Sequence, residues 1–335
     1  MKAGFFPGQG SQSVGMGKQF YDEFTVFRQT IEEASDSLGM NLKGLLFEGP
    51  ESELTLTENA QPAILAVSTG CFRVAEMELG LKTEINLGHS LGEYSALVAC
   101  EAIPFGNAIS WVQSRGQAMQ KAVPIGEGTM SAVIGAEDLQ VETWCKEATL
   151  LAAEARKSQG TALSVPCSVE CANFNAPGQI VVSGSVDAIE ALEKLIQGLG
   201  IRGVMVKRLS VSAPFHSSLM KPARSVMESI FKEALNQGQL TPLQTSYIPN
   251  RTAIKTSEMG LIFPLLAEQV DHSVLWKQSV ETLMISQCSV AFEFGPGKVL
   301  QGLAKRIAKG KEVKFETYPI FDLETLKAAE GVIRQ

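Results

Sequence analysis

The pentapeptide Gly88-His89-Ser90-Leu91-Gly92 constrains the fold of this chain more than any other segment. It matches the pattern G-x-S-x-G, in which a serine lies at a sharp turn between a β-strand and an α-helix. Residues 84–88 are strand-like, and residues 91–99 are small and apolar, as in a buried helix. Glycines flank the serine because a Cβ would clash at so tight a turn. We therefore predict that Ser90 is a nucleophile whose hydroxyl stands clear of a sheet.

The order of elements around this turn predicts an α/β fold with a mostly parallel sheet. A strand over residues 2–6 precedes helical patterns over 16–38 and 61–79, and we expect Gln61-Pro62 to open the second helix because proline is favoured in a first turn. The strand at 84–88, the helix after Ser90 and a further helix over 106–121 continue the alternation.

A different pattern begins near residue 126. Its elements are a strand at 128–135, a helix at 137–156, strands at 168–174 and 179–183, a helix at 186–199 and a strand at 203–209. The order βαββαβ is typical of a ferredoxin-like module. We therefore predict a small ferredoxin-like domain over residues 126–208, inserted into a large α/β domain formed by residues 1–125 and 209–335.

Composition argues against several classes of function. The net charge of -7 disfavours a broad nucleic-acid-binding surface. No segment approaches the roughly 20 apolar residues that span a bilayer, and the first residues do not resemble a secretory signal. The six cysteines form neither a Cys-x-x-Cys pair nor a zinc-binding pattern. We expect a cytoplasmic protein with reduced thiols, no membrane contact, no nucleic-acid partner and no metal.

A serine nucleophile needs a general base, most often histidine, and the chain has three histidines. His89 adjoins Ser90 and is expected to point away from it, while His272 lies in a polar stretch. His216 lies in a loop after the predicted strand at 203–209, where α/β folds place catalytic groups. We favour His216, although a loop histidine without chemistry fits these observations too. No aspartate stands out as a third member of a triad, which leaves open a backbone carbonyl as the group that orients the imidazole.

Seven sequence blocks resemble the malonyl-CoA:acyl carrier protein transacylases and, more distantly, the acyltransferase domains of polyketide synthases. The resemblance runs nearly end to end, and the common order of the blocks makes it far more specific than one motif. It is loose around residues 147–168 and weak after Lys311. The blocks are Phe6-Pro7-Gly8-Gln9-Gly10-Ser11-Gln12, Gln61-Pro62-Ala63, Gly88-His89-Ser90-Leu91-Gly92-Glu93-Tyr94, Arg115-Gly116 with Met119-Gln120, Asn173-Phe174-Asn175-Ala176-Pro177-Gly178-Gln179, His216-Ser217 with Met220-Lys221-Pro222, and Gly295-Pro296-Gly297-Lys298.

The resemblance implies a hydrolase-like large domain and a catalytic dyad of Ser90 and His216. The main-chain carbonyl of Gln269 is implied to orient the imidazole. The oxyanion hole is implied to consist of the backbone N–H groups of Gln9 and Leu91, and glycines on both sides of Gln9 suit that role because they let the backbone approach a substrate. A ping-pong cycle without any cofactor follows from these roles.

The resemblance also implies that the transferred acyl group is malonyl. Arg115 corresponds to the arginine that pairs with the free carboxylate of malonyl, a group that acetyl lacks. Phe215, directly before His216, leaves little space for an α-methyl branch, and Leu91 points the same way. The implied substrate-binding residues are Arg115, Gln61, Phe215, His89 and Asn175. The implied partners are malonyl-CoA and holo acyl carrier protein, in fatty acid synthesis.

Three alternatives stay open on the sequence. A stand-alone acyltransferase that serves a polyketide synthase would use the same residues. An acyl hydrolase that clears stalled carriers is disfavoured by the presence of Arg115. A catalytically dead docking module is disfavoured because Ser90, His216 and Arg115 are all present.

Overall fold

The computed structural model describes residues 1–159, 163–211, 213–312 and 314–333, and this part of the chain contains nine strands and fourteen α-helices. The strands are β1 Lys2–Phe6, β2 Ile85–Gly88, β3 Gly128–Ile134, β4 Val169–Ala176, β5 Gln179–Ser185, β6 Met205–Arg208, β7 Ser246–Tyr247, β8 Val290–Phe294 and β9 Glu316–Ile320. The helices are α1 Lys18–Glu23, α2 Thr25–Leu38, α3 Leu42–Glu48, α4 Glu51–Leu54, α5 Thr57–Leu79, α6 Gly92–Ala99, α7 Phe105–Lys121, α8 Asp138–Gln159, α9 Val186–Leu199, α10 Lys221–Asn236, α11 Ile262–Asp271, α12 Trp276–Ile285, α13 Val299–Ala308 and α14 Leu323–Ile333. No helix in these ranges is both long and apolar enough to cross a bilayer.

Five strands form a parallel sheet in the order β7-β2-β1-β8-β9. The central strand β1 is buried from Ala3 to Phe6, as expected of a parallel strand covered by helices on both faces. Lys2 pairs with Val290 of β8, near the other end of the chain. Phe5 packs against Trp276 on one face of the sheet, and Phe6 packs against Phe72 on the other. The predicted α/β fold with a mostly parallel sheet is confirmed.

A second sheet contains the strands between residues 128 and 208. Its order is β4-β5-β3-β6, and each neighbouring pair is antiparallel. Helices α8 and α9 pack on this sheet around a separate apolar core that includes Val141, Trp144 and Ile189. The sheet is joined to the rest of the molecule by β4, because Phe174 N–H donates a hydrogen bond of 3.0 Å to the carbonyl of Val274.

Two helix boundaries differ from the expectations. The segment 16–38 forms two helices rather than one, because Phe24 between them has an extended backbone (φ -108°, ψ 125°). Helix α5 begins at Thr57 rather than Gln61, so Pro62 lies inside the helix and not in its first turn. Thr57 and Ala60 are buried, and this packing extends the helix beyond the point where proline predicted its start.

The turn between β2 and α6, residues 88–92, is called the elbow below. Ser90 at its tip has a φ of 52°, in the left-handed region that non-glycine residues seldom adopt. An added Cβ on Gly88 would lie 1.9 Å from the carbonyl carbon of Gly92. A Cβ on Gly92 would lie 2.0 Å from the carbonyl oxygen of Phe6. Both glycines therefore allow strand and helix to approach closely enough to form the bend.

Replacing either elbow glycine should destabilise the protein. We expect Gly88→Ala and Gly92→Ala to lower the free energy of unfolding by about 3 kcal/mol, because backbone atoms must move to accept the methyl group. Urea denaturation measures this difference. Gly198→Ala is the matched control: no heavy atom lies within 4 Å of its added Cβ. It should raise the free energy of unfolding by up to about 1 kcal/mol, since alanine is favoured over glycine in a helix. Equal stability of all three variants would contradict this account of the elbow.

Candidate active site

A cavity of about 390 Å³ lies between the carboxyl ends of β1 and β2 and the antiparallel sheet. This is the edge at which open α/β sheets bind their ligands. Of the residues predicted for the site, all but Gln269 line the cavity. They are Gln9, Gln61, His89, Ser90, Leu91, Arg115, Asn175, Phe215 and His216. Across the described ranges, no three His, Cys, Asp or Glu side chains are grouped as a metal site would require.

Ser90 and His216 are in direct contact. The Ser90 Oγ lies 2.7 Å from His216 Nε2, and His216 Nδ1 lies 2.8 Å from the carbonyl oxygen of Gln269. A carbonyl oxygen can only accept, so Nδ1 carries the ring proton and Nε2 accepts from the Ser90 hydroxyl. Like Ser90, His216 has a left-handed backbone, with a φ of 58°. The fold thus connects a hydroxyl, an imidazole and an orienting carbonyl by two successive hydrogen bonds.

The environment keeps the His216 imidazole neutral. Its side chain is buried, and burial lowers the pKa of His216 to about 3, with a further contribution from the positive charge of Arg115. At neutral pH the ring therefore has a free lone pair at Nε2, directed at the Ser90 hydroxyl. A base in this position can take the hydroxyl proton as soon as a developing charge favours the transfer.

Arg115 lies on α7 with its guanidinium buried beside Ser90. One terminal nitrogen donates to Gln61 Oε1 at 2.8 Å, and the other donates to Gln269 Oε1 at 2.8 Å and to Ser90 Oγ at 3.2 Å. In the part of the chain that the structure describes, no carboxylate forms an ion pair with Arg115, and its Nε has no hydrogen-bond partner. The charge of Glu93 acts on Arg115 without contact, and a buried cation that no anion contacts is costly, so the site is prepared for an anion.

Two of the residues that line the cavity, Leu91 and Gln9, have backbone N–H groups that are unpaired in the part of the chain that the structure describes. Leu91 N–H lies at the start of α6, where the first N–H groups of a helix have no partner within it. Gln9 N–H belongs to the loop after β1. Neither group donates a hydrogen bond within the described residues. Gly8 allows this loop to approach the elbow, because a Cβ there would lie 2.4 Å from the carbonyl oxygen of His89. Such a pair of donors beside a serine can bind an oxyanion.

The other predicted residues surround this centre. His89 Nε2 lies 2.7 Å from Asn175 Oδ1 and the His89 ring packs near Trp276, so this histidine is engaged away from Ser90. The Phe215 ring, 9% exposed, forms part of the cavity wall. His272 is outside the cavity lining and contacts Asp271 Oδ1 at 2.7 Å. The structure therefore brings His216, and neither of the other histidines, to the Ser90 hydroxyl.

Sequence analysis missed Asn250, which supports the elbow. Its Oδ1 accepts from Ser90 N–H at 2.7 Å, and its Nδ2 donates to the carbonyl of Gly88 at 2.6 Å. Its own backbone N–H donates to Glu93 Oε2 at 3.0 Å. The one available signal was position: Asn250 follows β7, the strand that pairs with β2, so it lies at the same sheet edge as Ser90.

The family of this chain is shown by its sequence. The sequence model of a protein family, the acyl transferase domain, matches residues 5–261. This match extends over more than half of the chain and includes the elbow, Arg115 and His216. The chain is thus an acyl transferase by class.

Relatives of known name refine this assignment. A malonyl CoA-acyl carrier protein transacylase of Bacillus subtilis (strain 168) is 36% identical over 330 residues, which cover 98% of this chain and 96% of that protein. The crystal structure of acyl-carrier-protein-S-malonyltransferase from Bartonella henselae has a TM-score of 0.88 at 38% identity and covers 100% of both chains. A type II polyketide synthase acyl-carrier protein in complex with its malonyl-transacylase gives a TM-score of 0.87 at 35% identity, with 99% of each chain covered. This chain belongs to the malonyl CoA-acyl carrier protein transacylase family.

The low pKa of His216 should make stability depend on pH. Its pKa is about 3 in the folded protein and near 6.5 when unfolded, so the unfolded state binds more protons between these values. The contribution of His216 to the free energy of unfolding is therefore highest above pH 6.5 and decreases as the pH falls towards 3. His216→Asn removes the titration, and asparagine tolerates the positive φ. The stability of the native protein relative to this variant should fall by about 2 kcal/mol between pH 7.5 and pH 5, measured by urea denaturation. A difference that does not change with pH would contradict the buried, neutral imidazole.

Proposed function

We propose that this protein transfers a malonyl group from malonyl-CoA to the phosphopantetheine thiol of an acyl carrier protein, and thereby supplies malonyl-ACP for fatty acid synthesis. The observation that carries the proposal is the buried guanidinium of Arg115, 3.2 Å from the Ser90 hydroxyl and without a carboxylate partner in the described residues. An acyl group that esterifies Ser90 and ends in a carboxylate would supply the missing anion. Malonyl is such a group, and it is the group in the names of the relatives.

The first half of the cycle forms an ester on Ser90. His216 Nε2 takes the hydroxyl proton while Ser90 Oγ attacks the thioester carbonyl carbon. The backbone N–H groups of Gln9 and Leu91 bind the resulting oxyanion. When the tetrahedral intermediate collapses, the C–S bond breaks, and the coenzyme A thiolate leaves with the proton from the His216 imidazolium. The carbonyl of Gln269 stabilises that imidazolium through Nδ1–H.

The second half reverses these steps with a different thiol. His216 takes the proton of the phosphopantetheine thiol, whose sulfur attacks the ester carbonyl. The same oxyanion hole binds the intermediate, the bond to Ser90 Oγ breaks, and Oγ regains its proton from His216. Two half-reactions with one covalent intermediate constitute a ping-pong mechanism. Every step is an acyl or proton transfer, so the reaction as written consumes no redox cofactor.

Selection of the acyl group follows from the same residues. Arg115 pairs with the malonyl carboxylate in two-point geometry, and Gln61 holds one of its terminal nitrogens in place. Phe215 and Leu91 limit the space beside the ester, which favours malonyl over an α-methyl-branched group. His89 and Asn175, joined by their 2.7 Å contact, form the wall on the side of the antiparallel sheet.

The proposal includes a division into domains. We assign residues 1–125 and 209–335 to a hydrolase-like domain and residues 126–208 to a ferredoxin-like domain. The strand order β4-β5-β3-β6, antiparallel throughout, supports the second assignment, since it is the order expected of a βαββαβ unit. We also propose a cytoplasmic location, in which the six free cysteines stay reduced.

A second function is favoured by one relative. The malonyl-transacylase in complex with a type II polyketide synthase carrier uses a chain of the same fold and length. The present chain could therefore serve a polyketide pathway with unchanged chemistry. Transfer rates to fatty acid and polyketide carrier proteins, compared at equal concentration, distinguish the two: a preference for the polyketide carrier would assign the chain to that pathway.

The covalent step is tested by intact-mass spectrometry after mixing with malonyl-CoA. We expect a gain of one malonyl group on the native protein and none on Ser90→Ala. Addition of holo acyl carrier protein should remove the group and load it on the carrier. Loss of the group to water at the same rate with and without carrier would identify a hydrolase. A protein that gains no mass would exclude the ester mechanism.

Arg115→Ala tests the choice of acyl group. Removing one member of a buried charge pair typically costs about 2 to 5 kcal/mol, which corresponds to a loss of roughly thirtyfold or more in kcat/KM for malonyl-CoA. Acetyl-CoA has no carboxylate, so the rate of acetyl transfer should change little. Steady-state kinetics with both donors measure the two effects, and equal losses for both acyl groups would refute the role given to Arg115.

A further inference from the structure

Glu93 is a buried acid that the mechanism above does not use. It lies in the first turn of α6, its side chain is fully buried, and it does not line the cavity. Its Oε2 accepts from Gln269 Nε2 at 2.9 Å and from Asn250 N–H at 3.0 Å, whereas Oε1 has no partner within the described ranges. Burying a carboxyl group is unfavourable unless its contacts compensate. These contacts point to a task connected with Gln269.

The side-chain amide of Gln269 lies between hydrogen-bond acceptors on one side and a hydrogen-bond donor on the other. Its Nε2 donates to two acceptors, the carbonyl of Ser90 at 2.8 Å and Glu93 Oε2. Its Oε1 accepts from Arg115 at 2.8 Å. A flipped amide would set an N–H₂ group against the guanidinium and an oxygen against two other oxygens. The acceptors behind the amide therefore determine which of its atoms faces Arg115.

We propose that Glu93 is a positioning residue for acyl-group selection: it orients the Gln269 amide so that Oε1 holds the Arg115 guanidinium beside the Ser90 hydroxyl. Glu93 touches no substrate and acts through Gln269. This inference rests on the proposed function, because it concerns the arginine assigned to the malonyl carboxylate. Burial raises the pKa of Glu93 to about 7. A proton on the unpartnered Oε1 leaves Oε2 an acceptor, so the amide has the same orientation in both protonation states.

Two substitutions separate hydrogen bonding from mere burial. In Glu93→Gln, two donors, Asn250 N–H and Gln269 Nε2, face the position of Oε2, so the new amide presents its oxygen there and still orients Gln269. In Glu93→Met, a side chain of similar volume provides no acceptor. Glu293→Met is the matched control, since Glu293 is equally buried and accepts hydrogen bonds from Leu300 N–H and Gln301 N–H but none from Gln269 or Arg115.

The measurement is the ratio of kcat/KM for malonyl-CoA to kcat/KM for acetyl-CoA, determined for Ser90 acylation in one preparation of each variant. A misfolded fraction lowers both kcat/KM values by the same factor, so it does not change their ratio. We expect Glu93→Met to lower the ratio at least about tenfold, because a displaced guanidinium no longer matches the carboxylate. Glu93→Gln should stay within about threefold of the native ratio, and Glu293→Met should leave it unchanged. If Glu93→Met yields no folded protein, Glu93→Asp, whose shorter side chain withdraws Oε2, has the same expected outcome.

A double variant tests the route through Gln269. Gln269→Met retains the main-chain carbonyl that orients His216 and should lower the ratio as Glu93→Met does. Because Glu93 acts through this amide, Glu93→Met should have no further effect on the ratio in the Gln269→Met background. An unchanged ratio in Glu93→Met, or additive losses in the double variant, would overturn the inference. Failure of the native protein to form a malonyl ester would instead overturn the proposed function.

Discussion

The site depends on one strained piece of backbone, the elbow at Ser90. A left-handed conformation costs a non-glycine residue about 1–2 kcal/mol, and it persists only where the surroundings leave no alternative. Here the contacts of Gly88 with Gly92 and of Gly92 with Phe6 fix the distance between strand and helix. Asn250 bonds both the N–H of Ser90 and the carbonyl of Gly88, so the turn cannot relax without losing two buried hydrogen bonds. The hydroxyl, the N–H of Leu91 and the contact with His216 all follow from this bend.

Burial couples the charge states of His216 and Arg115. Both side chains are almost inaccessible, and in such a setting charges interact strongly because little water screens them. The charge of Arg115 contributes to the low pKa of His216, after burial itself. In the proposed mechanism, the same absence of water makes the guanidinium selective for an acyl group that carries its own negative charge. Glutamine amides rather than carboxylates hold Arg115 in place, so its orientation is fixed while its charge stays available.

What the sequence could predict depended on how local each feature is. The elbow was predictable because its glycines, strand and helix are contiguous, and the alternation of elements was sufficient for the parallel sheet. His216 could be singled out because the chain has three histidines and several blocks resemble a family. Asn250 gave no such signal, and Glu93 lay within a resembling block without an implied role. Their contact forms only when β7 aligns beside β2, and no pattern within either segment encodes that register. The predicted start of α5 was wrong because the burial of Thr57 and Ala60 outweighed the preference of proline for the first turn of a helix.

The pairing of Lys2 with Val290 has a consequence for how the enzyme is made. The middle strand of the sheet, β1, is synthesised before the antiparallel sheet, and its neighbour β8 is synthesised after it. Ser90 is synthesised before the antiparallel sheet, whereas three residues that position it or contact it are synthesised after that sheet: His216, Asn250 and Gln269. The contacts that join Ser90 to His216 and Asn250, and His216 to Gln269, can therefore form only after the chain has been synthesised through Gln269.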